Sequence, residues 1–334
     1  MKKLLAAGLL LAGLFGANAQ NVASTTTLTS GGNLAGSLGG NSCTYYGANA
    51  GRFFTGTTAA TGSNTFIGQN SGNSITSGNS NTYTGYKSGY GSSSSTPAPG
   101  TPGYTVTGNS NSFYGASSGI VNNGGNENAF FGASAGYKNN TGSNNTYLGF
   151  SSGSNNAGSG NVFVGSNVGP TANQLGSSLS NNLFIDNSTN SNPLIWGDFA
   201  ADQLKLNGKV AIGGNNTTPF GTFPTSVGGV SIPNYTLFVK GGLLTEEMRV
   251  ALATTWADYV FAKDYNLKPL SEVEEFINEN GHLPNVPSAA QVKDEGINVG
   301  EMARIQQEKI EELTLYIIAQ NKRIEALEAK MGNK

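Results

Sequence analysis

His282 is the only histidine in the chain and Cys43 the only cysteine, and between them they bound the chemistry the sequence can carry. A serine or cysteine nucleophile needs an imidazole base that a third group orients. His282 stands instead in His282-Leu283-Pro284-Asn285-Val286-Pro287-Ser288, a linker that two prolines keep extended. A structural hydrogen bond is its expected role. One cysteine and one distant histidine do not supply a zinc set, which draws four ligands at short fixed spacings. Calcium-binding repeats place an acidic residue in each turn, whereas these turns carry Asn and Ser. No Gly-x-x-x-x-Gly run is followed by the lysine of a phosphate loop. The adjacent carboxylates Glu246-Glu247, Glu274-Glu275 and Glu311-Glu312 read as solvated faces of strands or helices. The sequence therefore predicts no catalytic residue, no cofactor and no metal, and the chain is not read as an enzyme. Cys43 has no intrachain disulfide partner and is expected to be buried at one end of the fold.

The residues that recur are structural. Asn64-Thr65-Phe66-Ile67-Gly68-Gln69-Asn70-Ser71-Gly72 returns at Asn81, Asn111, Asn128, Asn145 and Asn161, with a degenerate first copy at Cys43 and a last at Asn182. The third position is always aromatic: Tyr45, Phe66, Tyr83, Phe113, Phe130, Tyr147, Phe163 and Phe184. The fourth is apolar, as Tyr46, Ile67, Tyr114, Phe131, Leu148, Val164 and Ile185, except at Thr84. Neighbouring residues of a strand point to opposite faces, so both faces ask for cover: one fills the inside of a coil, and the other needs a second surface such as another copy of the chain. Glycines and polar turns such as Gly142-Ser143-Asn144-Asn145 tolerate the positive φ of sharp corners. A short repeat of this kind predicts a parallel β-solenoid with a ladder of asparagines and a stack of aromatics about 4.8 Å apart. Its length suits two short strands and two turns per coil. Ser92 to Pro102 reads as an insertion that becomes a surface loop.

Charge is unevenly placed. The net charge is −2, and from Gln20 to Trp196 the charged residues are Arg52, Lys87, Glu127, Lys138 and Asp186. A nearly uncharged head has no electrostatic hold on nucleic acid. Residues 1–19 read as a secretory signal: Lys2 and Lys3, the apolar Leu4 to Phe15, then Ala17-Asn18-Ala19. No later stretch reads as a membrane span, so the expected location is the cell surface or exterior, with the periplasm as the alternative.

The remaining chain divides into a leader (20–42), the repeat head (43–190), a β-rich connector (191–240), an α+β segment (241–300) and a coiled coil (301–334). Asn192 to Phe199 is expected to close the roll. Leu204-Lys205-Leu206, Val210 to Ile212, Tyr235 to Val239 and the alternating Met248, Val250 and Leu252 read as strands. Leu270, Val273, Phe276 and Ile277 make a helical stripe, with Ser271 and Glu274 as a capping box and Gly281 as the stop. Ser288 is expected to cap a short helix ending near Gly296. From Glu301 to Met331, Ala303, Ile310, Ile317, Ile324 and Met331 alternate with Gln306, Leu313, Gln320 and Leu327. That is the a/d seam of a coiled coil.

The Asn-x-aromatic-x-Gly-x-x-Ser/Ala-Gly pattern from Cys43 to Asn187 resembles the head repeats of trimeric autotransporter adhesins, which implies a β-roll assembled in threes. The stretch from Gly241 to Lys334, with Trp256-Ala257-Asp258-Tyr259-Val260-Phe261, His282-Leu283-Pro284 and the terminal seam, resembles the endosialidase-type intramolecular chaperone domain of tail fibres. Some members of that family release the domain by self-cleavage at a serine. No serine lies between Tyr235 and Leu270, so the resemblance does not carry a cleavage residue to this chain. Ile at a with Leu at d favours a dimer, while the head resemblance implies a trimer, which is the reading adopted. The expected protein is an exported homotrimeric, adhesin-like fibre. The alternatives are a self-cleaving precursor and a secreted fibre that binds a glycan or matrix ligand through exposed tyrosines such as Tyr86, Tyr90 and Tyr137.

Overall fold

The computed structural model describes residues 22–24, 28–32, 34–36, 42–54, 62–91, 107–170, 178–188, 192–213, 223, 226–227, 230–231, 235–251 and 256–332. The expected signal segment and the Ser92 to Pro102 insertion lie outside the described residues. The chain forms two compact units, Met1–Gly208 and Lys209–Lys334.

The first unit is one sheet whose strands follow each other in sequence order: β1 (Val22–Ser24), β2 (Leu28–Gly31), β3 (Cys43–Tyr46), β4 (Thr65–Ile67), β5 (Thr82–Thr84), β6 (Ser112–Tyr114), β7 (Ala129–Phe131), β8 (Thr146–Leu148), β9 (Val162–Val164), β10 (Asn182–Ile185), β11 (Ile195–Asp198) and β12 (Gln203–Leu206). From β2 to β10 every pairing is parallel. The chain is a β-solenoid, as the repeat predicts. Both ends turn antiparallel, β1 on β2 and then β10, β11 and β12 in succession. A reversed strand breaks the repeat geometry, so Asn192 to Phe199 closes the parallel stack as expected.

Inside the coil the aromatics form a continuous pile. The rings of Phe66, Tyr83, Phe113, Phe130, Tyr147, Phe163 and Phe184 stack with centroids 4.7 to 5.0 Å apart, the spacing of the strands that carry them. Tyr45 joins at 5.5 Å with a tilt, and all eight are buried. Beside them runs the predicted asparagine ladder. Asn81, Asn111, Asn128, Asn145 and Asn161 each donate from Nδ2 to the Oδ1 of the preceding rung at 2.9 to 3.2 Å. Each also donates Nδ2 to a turn carbonyl. These amides are 0–1% exposed, so satisfying every donor is what makes their burial tolerable. Cys43 takes the first rung, where the Asn64 amide reaches its Sγ at 3.9 Å. It is buried, as expected, but one coil in from the end of the parallel stack, with Leu28 of β2 opposite it.

Within the solenoid one expectation fails. Among the described residues each coil carries a single three- or four-residue strand where two were predicted. The second side is built of turns, because it holds residues at positive φ, such as Asn70 (58°) and Gly72 (56°), that a strand does not admit. Coil-to-coil hydrogen bonds continue there nonetheless, as from the Gly72 N–H to the Ser88 carbonyl at 2.9 Å. Gly72 is needed twice over: its φ is left-handed, and a Cβ would lie 2.7 Å from the Phe66 ring.

The second unit holds short strands β13 (Val210–Ile212), β14 (Ser226–Val227), β15 (Val230–Ser231) and β16 (Leu237–Val239), then helices α1 (Leu270–Asn280), α2 (Ala289–Glu295) and α3 (Val299–Gly332). Met248 and Val250 are not in a strand, contrary to the alternation, and Leu252 lies outside the described residues. The capping box predicted at Ser271 is also absent. Pro269 is the N-cap of α1, and Ser271 falls inside the first turn. The reciprocal box forms instead at α2, where Ser288 Oγ accepts from the Gln291 N–H and Gln291 Oε1 from the Ser288 N–H. Gly281 ends α1 with a φ of 72°. No helix among the described residues is long and apolar enough to cross a membrane.

Candidate functional site

Two surfaces stand out for what they could associate with, and each is largely exposed among the described residues. The first is the outer face of the solenoid sheet. With the third-position aromatic inside, the fourth position must point out. Its residues align across the pairings in an unbroken row: Tyr46, Ile67, Thr84, Tyr114, Phe131, Leu148, Val164, Ile185, Ile195 and Leu206. Tyr46, Ile67, Tyr114, Phe131, Leu148 and Leu206 are exposed, and the rings of Tyr114 and Phe131 stack at 4.9 Å on the outside. The row continues through β11 and β12, which are not repeats and run antiparallel. Sheets of parallel strands ordinarily have both faces covered.

The second surface is one side of α3. All nine seam residues, Ala303, Gln306, Ile310, Leu313, Ile317, Gln320, Ile324, Leu327 and Met331, are exposed; Ile317 is 64% and Met331 70% exposed. A different face of the helix is used within the unit. Ile305, Glu308 and Glu311 are buried there, against a 3-10 turn over Ala257–Phe261 whose Ala257 and Val260 are fully buried.

That inner face is a charged network. Arg304 binds Glu301 at 2.6 Å and Glu308 at 3.1 Å, and Lys309 binds Glu308 at 2.9 Å and Glu312 at 2.8 Å. The Tyr259 hydroxyl donates to Glu308 and accepts from Arg304, the Tyr265 hydroxyl donates to Glu312, and the Tyr316 hydroxyl donates to the Lys268 carbonyl. Burial works to raise the Glu308 pKa. Hydrogen bonds from Tyr259, Lys309 and Asn285 outweigh it and hold the carboxyl down at about 2. Burial first, and then the neighbouring carboxylates, push the Tyr259 and Tyr265 hydroxyls up. The network orients α3 on its unit and so fixes which side faces out.

The sequence reading of Glu311-Glu312 as a solvated pair is corrected here. Glu311 is buried beside Gln307, and Glu312 is half-buried under Tyr265. Glu308, Arg304, Tyr259 and Tyr265 were not singled out from the sequence. The signal was available in the i, i+3 and i, i+4 charge spacing of Glu301, Arg304 and Glu308, on a face other than the seam. His282 touches the Leu283 carbonyl at 3.0 Å and meets the Phe276 ring edge-on at 5.6 Å. Glu246, Glu247, Glu274 and Glu275 are exposed. Among the described residues no group of three or more His, Cys, Asp or Glu side chains is placed to hold a metal ion. Tyr86 and Tyr137 are exposed, but Lys87 sits over the rings of both Tyr86 and Tyr90, at 5.3 and 5.8 Å.

No family model matches this chain, and no curated protein or solved structure matches it either, so these surfaces are read from their own chemistry.

Proposed function

We propose that the protein is an exported homotrimeric fibre, structural or adhesin-like, in which the α3 seams of three chains associate and hold their solenoids in register. One observation carries this reading: all nine seam residues of α3 are exposed, while up to Tyr316 a different face of the helix is packed on its own unit and from Ile317 to Gly332 every residue is exposed. An apolar a/d row kept in water costs the chain the burial that a helix of this pattern exists to obtain. A near-identical repeat can slip by one coil at little local cost, so a distinct associating end gives the copies their register. The uncharged apolar row on the solenoid is a second surface of the same assembly, since a face without charge meets a copy of itself without repulsion.

The test is native mass spectrometry of the mature chain beside an Ile310→Asp/Ile317→Asp variant. The expected outcome is a trimer for the parent and loss of the trimer for the variant, with the far-ultraviolet signature of the solenoid retained. A monodisperse monomer for the parent sinks the proposal, and a dimer corrects its stoichiometry in the direction that Ile at a and Leu at d favours.

A further inference from the structure

We infer that the far half of α3 selects its own occupant: a second copy of the same helix, parallel and in equal register, with Arg323 of one chain paired to Glu328 of the next and with Gln306 and Gln320 each facing its own counterpart. The inference rests on the association proposed above and names the residues that give it direction and register.

The two halves of α3 treat their charges differently. In the first, Arg304 is paired with Glu301 and Glu308, and Lys309 with Glu308 and Glu312, all on the same helix. From Ile317 to Gly332 every residue is exposed, and Ile317, Ile324, Leu327 and Met331 keep an apolar row in water. Ion pairs on one helix form three or four residues apart. At those distances from Arg323 stand Ala319, Gln320, Ala326 and Leu327; from Glu328 they are Ile324, Glu325, Met331 and Gly332. Neither charge meets an opposite one along its own helix. Arg323 directly precedes the a residue Ile324, and Glu328 directly follows the d residue Leu327. These are the g and e flanks, whose charges pair between the chains of a coiled coil and set partner and orientation.

The flanks exclude the opposite direction. From Lys309 on, the g residues are Lys309, Tyr316, Arg323 and Lys330; the e residues are Gln307, Thr314, Asn321 and Glu328. An antiparallel copy sets g against g and e against e, so basic residues meet one another and Glu328 meets no base in any register. A parallel copy in equal register sets Arg323 against Glu328. Charge alone leaves a slip of one heptad open, since Lys330 would then reach Glu328. The seam closes that route. The slip puts Gln306 and Gln320 opposite leucines such as Leu313 and Leu327, which buries amides without partners. In equal register each glutamine layer has donors and acceptors to bond within itself.

The test is native mass spectrometry of the full-length protein over a concentration series at low salt, with Arg323→Glu, Glu328→Arg and the double swap. Each single reversal sets like charges across the parallel flank. It is expected to raise the concentration at which half the oligomer dissociates by at least about threefold, and the double swap to return it to about the parent value. Tighter association of Arg323→Glu overturns the inference, because that change relieves the basic g contacts of an antiparallel pair. Single variants equal to the parent, or a double swap that does not recover, overturn it too. Register is read in a Cys43→Ser background by oxidising Met331→Cys beside Glu272→Cys, which lies on the exposed side of α1. Equal register brings the introduced thiols into one layer, within disulfide reach, so interchain product from Met331→Cys is expected at least about tenfold above Glu272→Cys. If Met331→Cys stays at the Glu272→Cys level while the parent is an oligomer, the inference falls and the association stands. A parent that is monomeric at every concentration removes both.

Discussion

Asn128 sits in the middle of the buried ladder. Its Nδ2 donates to Asn111 and to the Gly142 carbonyl, and its Oδ1 accepts from both the backbone and the side-chain nitrogen of Asn145. Asn128→Ala removes all four contacts at once and leaves buried donors and acceptors on two neighbouring coils. Each unsatisfied buried group costs about 1–3 kcal/mol. The substitution is therefore expected to lower the thermal midpoint of the solenoid well beyond an exposed change such as Lys138→Ala, as read by circular dichroism melting. Cys43 marks where the ladder stops: a thiol accepts weakly from Asn64 and offers no amide to extend the row. The same local logic explains why the aromatic, and not its neighbour, points inward. The missing side chain of Gly72 leaves the volume that the Phe66 ring fills.

At the scale of the element, α3 has two faces with separate tasks. Its inner face is held by Glu308, whose carboxyl is kept at about 2 against the ordinary 4.5. A carboxyl with a depressed pKa contributes stability that is fully present above its unfolded value and is lost as pH falls toward its folded value. The contact between α3 and the Ala257–Phe261 turn is thus expected to hold at neutral pH and to loosen as pH drops from 4.5 toward 2. Near-ultraviolet circular dichroism of the tyrosines, Tyr259 and Tyr265 among them, reads this transition. Glu308→Gln is expected to weaken the contact at neutral pH and to flatten its acid dependence; an unchanged acid transition in that variant would remove Glu308 as its origin. The outer face carries no such charge network at its a and d positions, so its association responds to Ile310 and Ile317 rather than to acid.

At the scale of the molecule, the solenoid is a stack in which each coil contacts its neighbours, and this makes it tolerant of insertions. Successive rungs are 17 residues apart between Asn64 and Asn81 and between Asn111 and Asn128, but 30 apart between Asn81 and Asn111. β5 and β6 nevertheless pair in register, Tyr83 opposite Phe113, with their rings stacked at 4.7 Å. Shortening that longer coil from within residues 92–106 to the common repeat length is expected to leave the melting midpoint within a few degrees of the parent, because loop length contributes slowly to stability. A large drop would mean that the insertion packs on the roll.

Most of this architecture was legible along the chain. The repeat spacing, the aromatic third position and the asparagine before each strand are local regularities, and stacking identical coils turns them directly into the ring pile and the amide ladder. Gly281 and Ser288 announced a helix end and a helix start because capping depends on residues next to each other in sequence. Other features were settled only in three dimensions. Strand alternation says that positions three and four face apart, but which one is enclosed depends on where Gly72 and its equivalents bring the returning chain. The second side of each coil became turns because left-handed residues such as Asn70 and Gly72 occupy it, although the repeat length had suited a second strand. Ser271 lost the cap to Pro269 because the preceding backbone, not the serine, set where α1 begins. Met248 and Val250 have a strand's alternation but enter no strand pairing among the described residues, since pairing is a property of two segments and not of one. Glu311 and Glu312 read as solvated charge, and Glu308 drew no notice, until Tyr259 and Tyr265, more than forty residues away in sequence, bond to Glu308 and Glu312 on that face. Sequence periodicity fixes what repeats; burial, which decides which face of each element meets water, is a property of the assembled chain.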